Sequence, residues 1–257
     1  MNARERLKQA AADRILITDG AFGTEIQYHR LDEAGYRGAL ELARDQKGNN
    51  DILALTRPDI VDGITRAYLA AGSDIVSTNT FSANRISQAD YAAEHLVSDI
   101  NIASARIARA AADEFEVKDG RPRFVAGAVG PTNKTLSLSP NVNDPGYREI
   151  DFDGLAAVYR EQCDALIEGG VDFILIETIF DTLDAKGGIV AARESARAHG
   201  RDVPLMISMT ITDLAGRNLS GHTVEAFWHA VRHSRPVTVG LNCSFGAQQL
   251  RPHIQAL

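Results

Sequence analysis

Six short apolar runs punctuate the chain, at Ile15–Thr18, Asp74–Ser77, Phe124–Val129, Phe173–Ile176, Leu205–Met209 and Val237–Leu241. Runs such as Phe173-Ile-Leu-Ile176 are nearly continuous rather than alternating, which is how strands covered on both faces read. Longer segments of helical period lie between them. Val224, Phe227, Trp228 and Val231 recur at i, i+3, i+4 and i+7, and Leu155, Tyr159, Gln162 and Leu166 keep a similar spacing. Pro58 suits the first turn of a helix over Asp59–Ala71 that Gly72 ends, and Thr223 is placed to cap the helix holding Trp228. The alternation predicts parallel βαβ units and an α/β fold.

Six such units fit either an open doubly wound sheet or most of an eight-stranded barrel. The first strand runs into Asp19-Gly-Ala-Phe-Gly-Thr24, which lacks the spacing of a dinucleotide-binding turn, and no Walker loop is present. The connections 21–57 and 131–150 are too long for simple turns. Both follow strand C-termini, where long loops usually carry function.

Each predicted strand ends in polar residues: Thr18-Asp19-Gly20, Ser77-Thr78-Asn79-Thr80, Gly130-Pro131-Thr132-Asn133, Glu177-Thr178, Ser208 with Thr210, Thr212 and Asp213, and Asn242-Cys243-Ser244. Taken singly, Asp19 before Gly20 reads as a turn former, and Thr78 or Thr80 as satisfying loop backbone. Together they describe one polar mouth that could orient a small polar substrate. Glu177 directly follows four apolar residues, at the edge of the core where an unpaired charge is costly. It belongs either to a buried salt bridge or, with Asp19, to a site for a substrate ammonium group.

Composition narrows the field. A net charge of −7 without a Lys/Arg cluster argues against nucleic acid or anionic membrane as partners. No apolar run nears the roughly 20 residues needed to span a bilayer. Two cysteines in 257 residues suit a reducing cytoplasm. Cys163 lies within a helical pattern and reads as a core thiol, whereas Cys243 ends a strand among the other polar termini. The seven histidines show no metal-site spacing; His229 and His233 share a helix face at i, i+4 without the glutamate of a metalloprotease motif.

Asp19-Gly-Ala-Phe-Gly-Thr24, Lys47-Gly-Asn-Asn-Asp51, Thr78-Asn-Thr-Phe81, Gly130-Pro-Thr-Asn133, Glu177-Thr178 and Gly240-Leu-Asn-Cys243 together resemble the homocysteine S-methyltransferase family. Val142-Asn-Asp-Pro145, Ile179-Phe-Asp-Thr-Leu183, Thr210-Ile-Thr-Asp-Leu-Ala-Gly-Arg217 and Leu219-Ser-Gly221 are most similar to the homocysteine-binding domain of cobalamin-dependent methionine synthases. The resemblance runs from about Arg14 onward and implies a TIM (β/α)8-type barrel, incomplete here. Residues 1–257 would be the N-terminal portion of that domain, with about six of eight βα units.

It also implies a zinc ion held by three cysteine thiolates. One matches Cys243, and the other two, an adjacent pair after the eighth strand, are expected beyond Leu257. Zinc would stabilise the homocysteine thiolate. Asp19 and Glu177 would bind the ammonium, backbone amides around Gly20 the carboxylate, and Thr178 and Asn242 would line the site. Methylcobalamin would supply the methyl group from a separate module, recharged by another that binds methyltetrahydrofolate. Alternatives are a betaine- or S-methylmethionine-dependent homocysteine methyltransferase, or an inactive remnant without zinc; the chain alone is expected to be inactive.

Overall fold

A computed structural model describes residues 1–257. Its sheet has five parallel strands: β1 (Ile75–Ser77), β2 (Phe124–Val129), β3 (Phe173–Ile179), β4 (Leu205–Met209) and β5 (Thr238–Leu241). Their spatial order is their chain order. A doubly wound sheet reverses its strand order at a switch point. Unbroken sequential order is that of a barrel wall, and the curled sheet is a partial barrel of this kind.

The two faces of the sheet explain the near-continuous apolar runs. Val76, Val125, Ile174, Ile176, Leu205 and Ile207 point outward into the main core. There they meet α4 (Val97–Asp119), α5 (Phe152–Gly169), α6 (Thr182–Ala198) and α7 (Val224–Val231), numbered after α1 (Ala3–Asp13), α2 (Phe22–Tyr28) and α3 (Pro58–Ala71). The alternate residues Ile75, Phe124, Ala126, Phe173 and Met206 point inward and pack on Leu7 of α1. The first helix therefore plugs the inner face at the strands' N-terminal end, leaving the C-terminal end open. Both cap expectations hold: Pro58 sits in the first turn of α3, left-handed Gly72 ends it, and the Thr223 side chain accepts from the Ala226 N–H.

Of the six predicted strands, the first differs. Residues 15–18 run beside β1 but pair only through a Thr18–Ile75 bridge. The Ile17 N–H donates to the Asp74 carboxylate at 2.9 Å instead of to a strand partner. Asp74 is wholly buried and also takes Arg14 and Arg121, so it fixes this segment as a tied edge rather than a ladder. Ile15 and Ile17 lie exposed along it.

Candidate active site

A cleft of about 1180 Å³ runs along the inner face of the sheet from Leu7 and Lys8 of α1 to the strands' C-terminal ends, where its lining includes Asp19, Gly20, Ser77, Glu177, Thr178, Ser208, Asn242 and Cys243. Five of the six polar strand ends read from the sequence therefore meet in one place. The sixth, at Gly130–Asn133, contributes Asn133 to a smaller side pocket of about 490 Å³ that shares Gly20, Ser77 and Glu177 with the cleft.

Asp19 follows the bridge residue Thr18 and is held by Ser77, whose N–H and Oγ donate to its Oδ2 at 2.7 and 2.9 Å. Burial nonetheless pushes its carboxyl up to about 6, against those bonds. Gly20 lets the Tyr68 ring pack close to the backbone: a Cβ there would lie 2.9 Å from the Tyr68 hydroxyl and displace it. The chain then enters α2, whose N-cap Ala21 makes no side-chain hydrogen bond to the first turn.

Glu177 owes its place to an irregularity. β3 and β4 pair regularly to Ile176–Ile207 and then slip, resuming at Ile179–Met209. Within this bulge Thr178 is left-handed, with φ 56°. Bulges re-aim side chains beside active sites, and here Glu177 turns into the cleft. Burial raises its carboxyl to about 7, the nearby Asp19 charge adds to the rise, and a bond from Thr178 opposes it. No cationic side chain contributes at either carboxyl. The salt-bridge alternative for Glu177 is therefore not what the structure contains.

Cys243 is exposed at the cleft, left-handed with φ 62°, and accepts a bond from Asn242 Nδ2 at 3.0 Å. Cys163 is wholly buried in α5 and belongs to the main core. No three His, Cys, Asp or Glu side chains are grouped to hold a metal ion. The donor set of residues 1–257 thus does not fit a three-thiolate zinc centre, of which Cys243 alone is present.

One acidic residue escaped the site reading. Asp51 is buried in the side pocket, accepts from the Ser82 N–H at 3.0 Å and is pushed by burial to about 7. Its sequence signal was slight: a carboxylate closing the polar run Lys47–Asn50 just before apolar Ile52-Leu53-Ala54.

A partial parallel barrel with two cation-free carboxyls and a thiol at the C-terminal ends of its strands is the kind of frame in which α/β enzymes hold small polar molecules. Residues 16–257 match the model of the homocysteine S-methyltransferase family, and the chain belongs to that family. Among solved structures it is similar to the homocysteine methyltransferase MmuM from Escherichia coli. The metallated form is 20% identical, with a TM-score of 0.71, over 95% of this chain and 80% of that one. The oxidized form is 21% identical with a TM-score of 0.68, over 91% and 76%. At these identities the likeness speaks for the fold. No helix is long and apolar enough to cross a membrane.

Proposed function

We propose that the cleft binds L-homocysteine as the acceptor in a methyl transfer that forms methionine. The observation that carries this reading is the pair Asp19 and Glu177, two carboxyls facing one cleft beside Cys243 with no protein cation between them. Such a pair is costly when empty and is relieved by a ligand ammonium. Gly20 and the uncapped first turn of α2 offer backbone N–H groups to the substrate carboxylate, and Thr178 and Asn242 line the wall. The side chain would then extend its sulfur toward Cys243.

In the transfer, the homocysteine thiol gives its proton to solvent and the resulting thiolate attacks the donor's methyl carbon. A new S–C bond forms from the sulfur's electron pair as the donor–methyl bond breaks, its electron pair leaving with the donor. The chain's own residues bind and orient the amino acid so that its sulfur meets the donor in one geometry. Zinc, where the family resemblance implies it, would lower the thiol's proton affinity, and Cys243 is the one thiolate that these residues would offer it. The ammonium contacts do not depend on it.

For the donor, the stretches similar to methionine synthases support methylcobalamin carried on a separate module. The side pocket favours a second reading: with Asp51 and Glu177 both in its lining, it has the acidity to seat a small sulfonium or quaternary ammonium donor. Titration with L-homocysteine and with 4-mercaptobutanoate, which lacks the ammonium, tests the acceptor. Homocysteine should bind at least tenfold more tightly, and equal affinities would sink the reading. Methionine formed with methylcobalamin, S-methylmethionine or betaine added separately distinguishes the donors.

A further inference from the structure

Asn242 lies where the ends of β3, β4 and β5 converge, and its side chain is fully engaged. Oδ1 accepts from the Thr178 backbone N–H at 3.2 Å and from Ser208 Oγ at 2.7 Å. Nδ2 donates to Thr178 Oγ1 at 2.8 Å and to Cys243 Sγ at 3.0 Å. A backbone N–H can only donate, so the Thr178 contact fixes which end of the amide is oxygen. A primary amide offers two donor hydrogens and two principal acceptor positions. All four are used within the protein, which leaves none for a substrate.

The residues that Asn242 grips are strained. Thr178 and Cys243 both have positive φ, 56° and 62°, and Ser244 follows at 61°. A β-branched residue in this region is a genuine outlier. Such conformations persist only where the surroundings over-determine them. Asn242 is the one side chain bonded to both Thr178 and Cys243, and through Ser208 it also ties in the strand between them.

We infer that Asn242 is a positioning residue: its amide staples the bulge of β3 to the end of β5, and so fixes Glu177 and Cys243 in one frame. This rests on the proposed reading that the cleft binds homocysteine, and it changes the part Asn242 plays there from substrate contact to frame. Glu177 immediately precedes the stapled Thr178, so loosening the staple lets the bulge relax and turns the carboxyl away from Asp19.

The test combines homocysteine titration of Asn242→Ala, Thr178→Gly and the double variant with amide hydrogen exchange at position 178. Asn242→Ala should weaken homocysteine by about tenfold or more. In the Thr178→Gly background the same change should cost no more than about threefold, because glycine takes a positive φ unaided. The Thr178 amide should be protected in the native protein and exchange freely in Asn242→Ala. An equal loss of affinity in both backgrounds, with the Thr178 amide still protected, would overturn the inference and make Asn242 a substrate contact. Unchanged affinity and unchanged protection would overturn it as well. If the unaltered protein takes up no homocysteine, the functional reading has failed, and exchange at Thr178 alone decides the role of Asn242.

Discussion

Replacing Glu177 by glutamine should stabilise the empty protein at alkaline pH while abolishing tight substrate binding. Burial and the Asp19 charge raise the Glu177 carboxyl from 4.5 to about 7. At about 1.4 kcal/mol per tenfold change in proton affinity, holding it ionised costs about 3 kcal/mol, an upper figure because the group is only partly buried. A carboxyl raised on folding binds its proton more tightly in the native state than in the unfolded chain. Its contribution to stability is therefore fully present below pH 4.5 and is lost as pH rises through about 7. Glutamine removes that dependence. Urea unfolding should show Glu177→Gln more stable than the unaltered protein by about 1–3 kcal/mol at pH 8 and nearly equal to it at pH 5. The lost charge-assisted bond to an ammonium, about 1.5–3 kcal/mol, should weaken homocysteine by about 10- to 150-fold at pH 8. A Glu177→Gln protein less stable at pH 8 would mean that a cation pairs with Glu177 and that its role is structural. Retained affinity would show that it does not hold the ammonium.

Three further outcomes follow from the thiols and from the loop 131–150. A thiol reagent should titrate one cysteine in the native protein, Cys243, and two in denaturant, because Cys163 is buried in the core; the same lone ligand predicts that a chromophoric chelator strips added zinc from the purified 257-residue chain. Asp181 is buried and accepts from the Ser137 N–H and Oγ at 2.8 and 2.6 Å and from the Leu183 N–H at 2.9 Å, tying the loop 131–150 to the start of α6. Asp181→Ala should cost about 2–4 kcal/mol and expose the Ser137 amide to exchange, as read by mass spectrometry.

Much of this arrangement is written in local pattern. Strands β2 and β4 fall where continuous apolar runs place them, since a doubly covered strand leaves no polar alternative. The caps at Pro58, Gly72 and Thr223 follow from backbone chemistry that acts within a few residues. What the pattern does not carry is long-range competition. Residues 15–18 have a strand's composition, yet the Asp74 carboxylate takes the Ile17 N–H and leaves a single bridge. The bulge at Glu177–Thr178 depends on a threonine held left-handed by an asparagine 64 positions away, and nothing in the local residues announces it. Asp19, Glu177 and Cys243 were legible as strand-end polar groups, and their convergence was a consequence of parallel topology. Asp51 was not, because it reaches the side pocket from the long connection 21–57, which the structure builds from α2 and short helical turns at Glu33–Arg37 and Leu53–Thr56.

The central claim is that an ammonium group occupies the space between Asp19 and Glu177, and the protons displaced on binding report on it most directly. Carboxyls near 6 and 7 in the empty cleft must ionise to hold a cation. Calorimetric titration with L-homocysteine at pH 6, in buffers of different ionisation enthalpy, should therefore register release of about one proton or more per ligand bound. Release should fall toward zero by pH 8, while affinity rises about tenfold or more across that interval. Binding with no proton release at pH 6 and no gain in affinity by pH 8 would contradict the account.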